Sequence, residues 1–213
     1  MDGLLIDSEP LWQQAEQNIF ATVNIKLTSE QMSQTTGLRV DEVVEYWFKK
    51  HPWNEDENPK DKITTNIEQE VKRLIQISGT QKTGVKKILD FLSTRVNKIA
   101  IASSSSSELI NTVVQKFEIQ NYLKLIHSAE NEEFGKPHPA VYLTTCEKLG
   151  VNPKSCIAFE DSLNGIRSAQ AANIKCIGIP EETNIGNPDF SIADMSLNSL
   201  KDFGEDQWRE LNK

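Results

Sequence analysis

From about residue 85 onward, short apolar and β-branched runs alternate with segments in which apolar residues recur at helical spacing. Runs of the first kind predict buried strands, and segments of the second kind predict amphipathic helices. The predicted helices cover residues 85–94, 107–117, 140–149 and 165–172, and the predicted strands cover residues 98–102, 125–127, 156–159 and 175–179. Strands that alternate with helices through short connections predict an α/β fold with a parallel sheet covered by helices.

The preceding region has helical periodicity and no convincing strand alternation. Its predicted helices cover residues 11–23, 40–49 and 59–77, with a short one after Ser29, and its aromatic residues include Trp47, Phe48 and Trp53. We therefore expect a helical insertion at residues 11–78, with residues 1–10 and 79–213 forming the α/β core. A short amphipathic helix after about residue 202 is expected to dock Phe203 and Trp208 on that core.

Composition and charge indicate which cell compartment and which binding partners are compatible with the sequence. The chain has 213 residues, 38% of them hydrophobic, and a formal net charge of −8. No apolar run approaches the roughly 20 residues that span a bilayer, and no signal-peptide pattern opens the chain, so we expect a cytoplasmic protein. The sequence leaves the oligomeric state open, and a monomer is the default expectation. The negative charge disfavours nucleic acid and anionic membranes as partners. A small phosphorylated metabolite is still allowed, because a local lysine or bound cation can offset the global charge.

The cysteines and histidines show no metal-ligand spacing. Cys146, Cys156 and Cys176 form no CxxC pair and lie in apolar segments, which indicates buried free thiols. We expect the three histidines to lie on the surface, or to contact functional residues without binding a metal or substrate themselves.

Four polar segments occur in order along the chain. They are the opening MDGLLIDSE, the serines Ser103 and Ser104 after a predicted strand, the GKPHP segment that contains Lys136, and the pair Glu160 and Asp161 at the end of another strand. Each segment alone is typical of a loop, cap or turn. In an open α/β sheet, however, the carboxyl ends of the strands meet at one crevice. A hydroxyl, an ammonium and paired carboxylates at one place suit phosphoryl transfer with Mg²⁺.

These segments are similar, in order and approximate spacing, to the four motifs of the haloacid dehalogenase superfamily. The opening MDGLLIDSEPLW resembles the subgroup that contains β-phosphoglucomutase and the 2-deoxyglucose-6-phosphate (hexitol phosphate) phosphatases. The GLRVD, YW and HPW segments between residues 37 and 53 resemble the phosphatase branch more than the mutases. The resemblance covers nearly the whole chain. It implies a Rossmann-like core with an inserted helical cap, and Mg²⁺-dependent hydrolysis of a small sugar or sugar alcohol phosphate through an aspartyl-phosphate.

The resemblance also implies roles for the first three motifs. Asp2 and Gly3 match the last two positions of an Asp-x-Asp-Gly motif, so Asp2 would be the general acid and base, and its backbone carbonyl would ligate Mg²⁺. Ser103, with Ser104 beside it, would hydrogen-bond the phosphoryl oxygens. Lys136 would offset negative charge on the phosphoryl group.

The last motif and the inserted segment complete this set. Asp161 would bind Mg²⁺, and Glu160 would assist directly or through water. Arg39, in the inserted segment, is a candidate for contact with the sugar or the phosphate. A solvated arginine at a helix start is an equally good interpretation of that residue.

The first aspartate of the family motif, the nucleophile, would directly precede Met1. A chain that starts at Met1 is therefore expected to be inactive or nearly so, and to lack the central strand that this residue ends. In one interpretation, Met1 is an internal methionine of a longer Phe-Asp-Met-Asp-Gly segment. In the other, the truncation is real and the product is a non-catalytic phosphosugar-binding remnant. A phosphomutase of the β-phosphoglucomutase type is the alternative enzyme, although the inserted segment offers no clear second phosphate-binding lysine.

Overall fold

A computed structural model describes residues 1–211 of the chain, apart from the side chain of Thr183. The helices within this range are α1 (Glu9–Ala21), α2 (Ser29–Met32), α3 (Val40–Lys50), α4 (Lys60–Ser78), α5 (Val85–Ser93), α6 (Ser107–Lys116), α7 (Ala140–Leu149), α8 (Leu163–Ala171) and α9 (Glu205–Leu211). The strands are β1 (Ala100–Ser103), β2 (Leu125–Ser128), β3 (Ile157–Glu160), β4 (Lys175–Gly178) and β5 (Met195–Ser196). Every predicted helix and strand is present with boundaries shifted by a few residues at most, and only β5 was not predicted.

Local chemistry explains where several helices begin and end. Pro10 lies in the first turn of α1, where its missing N–H breaks no hydrogen bond. Helix α7 ends at Gly150, whose φ of 63° is left-handed and suits a residue without Cβ. The side chain of Ser162 accepts a hydrogen bond from the Gly165 N–H at the start of α8.

Helices alone make up the regular structure between residues 9 and 78, as predicted. Helix α4 packs against both α1 and α3, and this contact buries Phe20, Trp47 and Ile67 almost completely. Phe20 and Ile67 each contribute roughly 1.5–3 kcal/mol to stability through this burial. Trp53 packs edge-on against Phe20 and Phe48, with ring centroids 6.2 and 4.7 Å apart. The aromatic residues that the sequence analysis noted thus help to form the hydrophobic core of this helical segment.

The strands are parallel, as predicted, but they form two sheets in place of one. β1 pairs with β2, and β3, β4 and β5 pair in that order. Within residues 1–211, no strand pairs with the remaining edge of β1 or of β3. Side chains join the two sheets instead, because Ile101 of β1 and Ile177 of β4 belong to one hydrophobic core.

The end of the described chain docks on the α/β part, as predicted. The Phe203 ring is buried between Phe91 and Phe159, with centroids 5.8 and 5.1 Å away. Trp208, on α9, packs edge-on against Phe91. These contacts hold α9 against α5.

Two further features concern thiols and membranes. Cys146 and Cys176 are buried free thiols, as predicted, whereas Cys156 is partly exposed just before β3. Over residues 1–211, none of the helices combines the length and the apolar character that crossing a bilayer requires.

Candidate active site

One pocket brings together most of the predicted site residues. It lies where β1 and β3 end, beneath the helices of residues 9–50, and about 790 Å³ of space, part of it open to solvent, lies within it. The predicted site residues that line it are Asp2, Gly3, Ser103, Ser104, Lys136, Glu160 and Asp161. Arg39 is not among the residues that line this pocket.

The carboxylate of Asp2 is held by three donors. Its Oδ1 accepts hydrogen bonds from the Ser8 hydroxyl at 2.7 Å and from the indole N–H of Trp12 at 2.9 Å. Its Oδ2 accepts a hydrogen bond from the Ser105 hydroxyl at 2.5 Å. Because these donors come from α1, the residue before it and the loop after β1, they fix the orientation of the carboxylate. A positioned carboxylate of this kind suits proton transfer.

Gly3 allows Asp161 to approach the first turn of the chain. Its φ is +62°, and a Cβ atom at this position would lie 2.1 Å from Oδ2 of Asp161. Any larger residue here would push Asp161 away or strain the turn. The glycine of the opening segment therefore allows the carboxylate of Asp161 to lie against the turn that follows Asp2.

Lys136 and Glu160 form a buried ion pair at the ends of β1 and β3. The Lys136 Nζ donates to Oε1 of Glu160 at 2.5 Å and to the Ala102 carbonyl at 3.4 Å. The hydroxyl of Tyr142, on α7, donates to the same Glu160 oxygen. Lys136 and Glu160 side chains are only 6% and 4% exposed. The pair thus holds the ammonium group of Lys136 in a fixed position within the pocket.

The surroundings of Asp161 disfavour a negative charge on its carboxyl group. Burial raises the pKa of this carboxyl above its usual range, and the neighbouring Glu160 raises it further. A nearby cation would offset both effects.

The donors fit Mg²⁺ in kind. Mg²⁺ prefers oxygen ligands, and it is often bound by one or two carboxylates together with substrate phosphate and water. Glu160 and Asp161 supply two such carboxylates. Residues 1–211 contain no group of three or more Asp, Glu, His or Cys side chains placed to hold a metal ion. The site therefore offers a carboxylate pair rather than a complete protein cage.

The two predicted serines lie at different depths. Ser103 is 3% exposed, and its Oγ accepts a hydrogen bond from the Ser105 N–H at 3.2 Å. Ser104 is less buried, and its hydroxyl donates to the Gly37 carbonyl at 3.1 Å. Ser104 thus ties the loop after β1 to the segment before α3.

Arg39 is used in contacts outside the pocket. Its guanidinium pairs with Asp41 and donates to the carbonyls of Ala129 and Glu132 at 3.1 and 2.7 Å. This arrangement links the start of α3 to the loop after β2. It gives no support to the predicted contact between Arg39 and substrate.

Sequence reasoning assigned no site role to several pocket residues. The side chains that donate to Asp2 are those of Ser8, Trp12 and Ser105. They lie in or beside the motif segments, but the sequence pattern does not identify them as hydrogen-bond donors. Glu16 is 8% exposed, and its Oε2 has no hydrogen-bond partner within the described part of the chain. Burial raises the pKa of Glu16 from 4.5 to about 8, and Glu9 adds to the effect.

These features define an α/β protein with a polar pocket at the carboxyl ends of parallel strands, beneath an inserted group of helices. Residues 1–179 match the family of haloacid dehalogenase-like hydrolases, so the chain belongs to this family. The resemblance inferred from the four motifs is thereby confirmed.

The relatives place the chain within the family. It is 33% identical to hexitol phosphatase B of Escherichia coli K12 over 201 residues, which cover 94% of this chain and 90% of the relative. The structure of CbbY from Rhodobacter sphaeroides has a TM-score of 0.87 at 22% identity, covering 96% of this chain and 93% of CbbY. The β-phosphoglucomutase of Clostridium difficile has a TM-score of 0.83 at 24% identity, covering 99% and 93%. The two structures establish the shared fold.

Proposed function

We propose that this protein is a Mg²⁺-dependent phosphatase that hydrolyses small sugar or sugar alcohol monophosphates. The convergence of Asp2, Ser103, Lys136 and Asp161 on one pocket is the observation that carries the proposal. Hydroxyl and ammonium donors suit the oxygens of a phosphoryl group, and a hydrogen-bonded carboxylate suits proton transfer to a leaving alcohol. The similarity to hexitol phosphatase B supports a sugar alcohol phosphate as substrate.

In this proposal each side chain has a defined task. Ser103 donates a hydrogen bond to a phosphoryl oxygen, and Lys136 offsets negative charge on the same group. Asp2 protonates the oxygen of the leaving alcohol and later takes a proton from water. Its carboxylate is held in place by hydrogen bonds from Ser8, Trp12 and Ser105. Asp161, with Glu160, would hold Mg²⁺, which when bound would supply positive charge for the phosphoryl oxygens.

The proposed nucleophile is an aspartate directly before Met1. Asp2 occupies the acid and base position of the motif, and its three donors hold it there, so it does not replace that nucleophile. Within residues 1–211, one edge of β1 and one edge of β3 have no paired strand. These free edges are consistent with a further strand between β1 and β3 that ends at this aspartate. Without the nucleophile no aspartyl-phosphate forms, and we expect little or no turnover.

The helices of residues 11–78 act in this proposal as a cap over the site. They supply Trp12, Gln13, Met32 and Val43 to the pocket lining. Such a cap excludes water while the phosphoryl group is transferred. The enzyme is proposed to be a cytoplasmic monomer, which size-exclusion chromatography with light scattering would test in part.

A substrate assay tests the proposal. The chain would be preceded by an apolar strand that ends in Phe-Asp, and phosphate release from hexose and hexitol monophosphates would be measured with and without Mg²⁺. We expect release that depends on Mg²⁺. Interconversion of glucose 1- and 6-phosphates faster than release would instead establish the mutase, and ligand binding without turnover would establish a binding protein.

A further inference from the structure

The pocket has two halves of different chemistry. The lower half, at the strand ends, contains Lys136 and the hydrogen-bonded Asp2. The upper half is formed by the helical segment. Its lining residues include Trp12, Gln13, Glu16, Met32, Leu38 and Val43. A phosphate bound below would direct the rest of the ligand into this upper half.

The Oε2 atom of Glu16 is a buried polar atom of the upper half without a hydrogen-bond partner among the described residues. It is 8% exposed, lines the pocket, and its Oε2 makes no hydrogen bond to any residue that the structure describes. A buried polar atom without a partner is destabilising, so native proteins rarely leave one unless a ligand or water completes it. Because burial raises its pKa from 4.5 to about 8, the carboxyl keeps its proton near neutral pH and can both donate and accept.

The charges around Glu16 limit what the ligand can carry at its far end. Glu9 also lines the pocket near it, whereas Lys136, in the lower half, is the only lysine, arginine or histidine among the described lining residues. Arg39 is held by Asp41 and two backbone carbonyls. A second phosphate, or a carboxylate, would therefore meet the carboxyl group of Glu9 and no free cation among the described residues of the upper half.

We propose that Glu16 binds the hydroxyl groups of the substrate's carbon chain, and that the upper half thereby selects monophosphates with a neutral, hydroxylated tail over bisphosphates and over phosphates with an apolar tail. This inference rests on the proposed function and makes Glu16 a specificity-determining residue. A site built to hydrogen-bond a hydroxyl discriminates strongly against a ligand that lacks it, because its own polar group is then left unpaired.

Binding to the 213-residue chain tests the inference without turnover. Calorimetry in Mg²⁺ would compare inorganic phosphate, glucitol 6-phosphate, hexyl phosphate and glucitol 1,6-bisphosphate. Hexyl phosphate has the same carbon chain length and no free hydroxyls. We expect glucitol 6-phosphate to bind at least about tenfold more tightly than hexyl phosphate and than the bisphosphate.

Substitution assigns the preference to Glu16. In Glu16→Leu, the ratio of affinities for glucitol 6-phosphate and hexyl phosphate should fall to near one, while inorganic phosphate binds as before. Glu16→Gln, which keeps hydrogen-bonding capacity, should retain part of the ratio. Glu68→Leu, a partly buried glutamate on α4 outside the pocket lining, serves as the matched control and should leave it unchanged.

The outcomes separate this inference from the proposed function. If inorganic phosphate and every other ligand fail to bind in Mg²⁺, the proposed phosphoryl site is wrong. If phosphate binds but hexyl phosphate binds as tightly as glucitol 6-phosphate, the role of Glu16 is overturned and the phosphoryl site stands. The wild-type comparison needs no variant, so it decides the question even if Glu16→Leu fails to fold.

Discussion

Lys136 has a structural role in a buried ion pair, and we propose a functional role for the same side chain. Within the described pocket lining it is the only cationic side chain, and its ammonium is already paired with the buried Glu160. A phosphoryl group that binds here would share the lysine with Glu160. The ion pair thus keeps the ammonium in place before substrate arrives.

Replacing Lys136 with methionine should reveal both roles. Glu160 would be left buried with only the Tyr142 hydroxyl as a side-chain donor, and breaking a buried pair in this way costs about 3 kcal/mol or more. Urea denaturation should detect this loss. Adding Glu160→Gln should restore much of the stability but not the affinity for phosphate. A Lys136→Met protein as stable as wild type would contradict this account of the pair.

Glu16 should make stability depend on pH. Burial raises its pKa from 4.5 to about 8 in the folded protein, so between these pH values the folded state holds a proton that the unfolded state has released. The free energy of unfolding should therefore fall as pH rises from 4.5 to 8. The contribution of this one group is on the order of a few kcal/mol.

Glu16→Gln cannot lose a proton and should remove that contribution. The variant should gain stability relative to wild type as pH rises through this window, measured by urea denaturation at pH 5, 6.5 and 8. Glu57→Gln, at an exposed position, should follow the wild-type profile. Parallel profiles for wild type and Glu16→Gln would show that the carboxyl is ionised and solvated in the folded protein.

At the level of elements, the pattern of apolar residues predicted most of the structure. Helix α7 has the predicted boundaries, and its cap at Gly150 was evident from the sequence because a glycine after a periodic segment favours the left-handed conformation. Strand β5 was missed because its two residues, Met195 and Ser196, have no alternating pattern to detect. The division into two sheets depends on pairing between distant strands, which periodicity does not encode.

The site was predictable where residues belong to a motif and not where geometry alone recruits them. Ser103 ends β1 and Asp161 follows β3, so their convergence was foreseeable, and Asp2 and Lys136 belong to motifs that accompany them. Glu16 lies on the buried face of a helix, and only the packing of that helix reveals that its carboxyl lacks a partner. For Arg39 the sequence leaves substrate contact and a solvated helix start equally open, and in the structure its guanidinium donates to two backbone carbonyls.

The start of α8 connects an element to the site. Ser162 follows Asp161 directly and caps α8 by accepting a hydrogen bond from the Gly165 N–H at 3.1 Å. Ser162→Ala should lower the free energy of unfolding by about 1 kcal/mol and weaken phosphate binding, because the turn that positions Asp161 loses its cap. Thr28→Ala removes the cap of α2 outside the pocket lining and should affect stability alone. Phosphate affinity that stays unchanged in Ser162→Ala would rule out this coupling.

For the whole molecule, a few hydrogen bonds connect the segment before and within α3 to the α/β part. The Ser104 hydroxyl donates to Gly37, the Gly135 N–H donates to Glu42, and Arg39 donates to the loop after β2. These bonds lie beside the pocket. They therefore set how closely this part of the helical segment covers the site.

Arg39→Ala should loosen this connection without emptying the site. We expect faster amide hydrogen exchange in the first turn of α3 and in residues 129–132, because the guanidinium no longer joins them. Inorganic phosphate should bind almost as in wild type, since Arg39 does not line the pocket. If phosphate or glucitol 6-phosphate binding disappears while exchange is unchanged, Arg39 contacts the ligand directly, which is one of the two interpretations that the sequence leaves open.

The most direct test of the account is a paired assay of phosphate release from glucitol 6-phosphate in Mg²⁺. The chain would follow an apolar strand that ends in Phe-Asp or, in the matched control, in Phe-Asn, and a third protein would combine Phe-Asp with Asp2→Asn. We predict turnover with Phe-Asp only, and losses of several orders of magnitude in the other two proteins. Equal release by the Phe-Asp and Phe-Asn proteins, or no release by any, would contradict the proposed phosphatase.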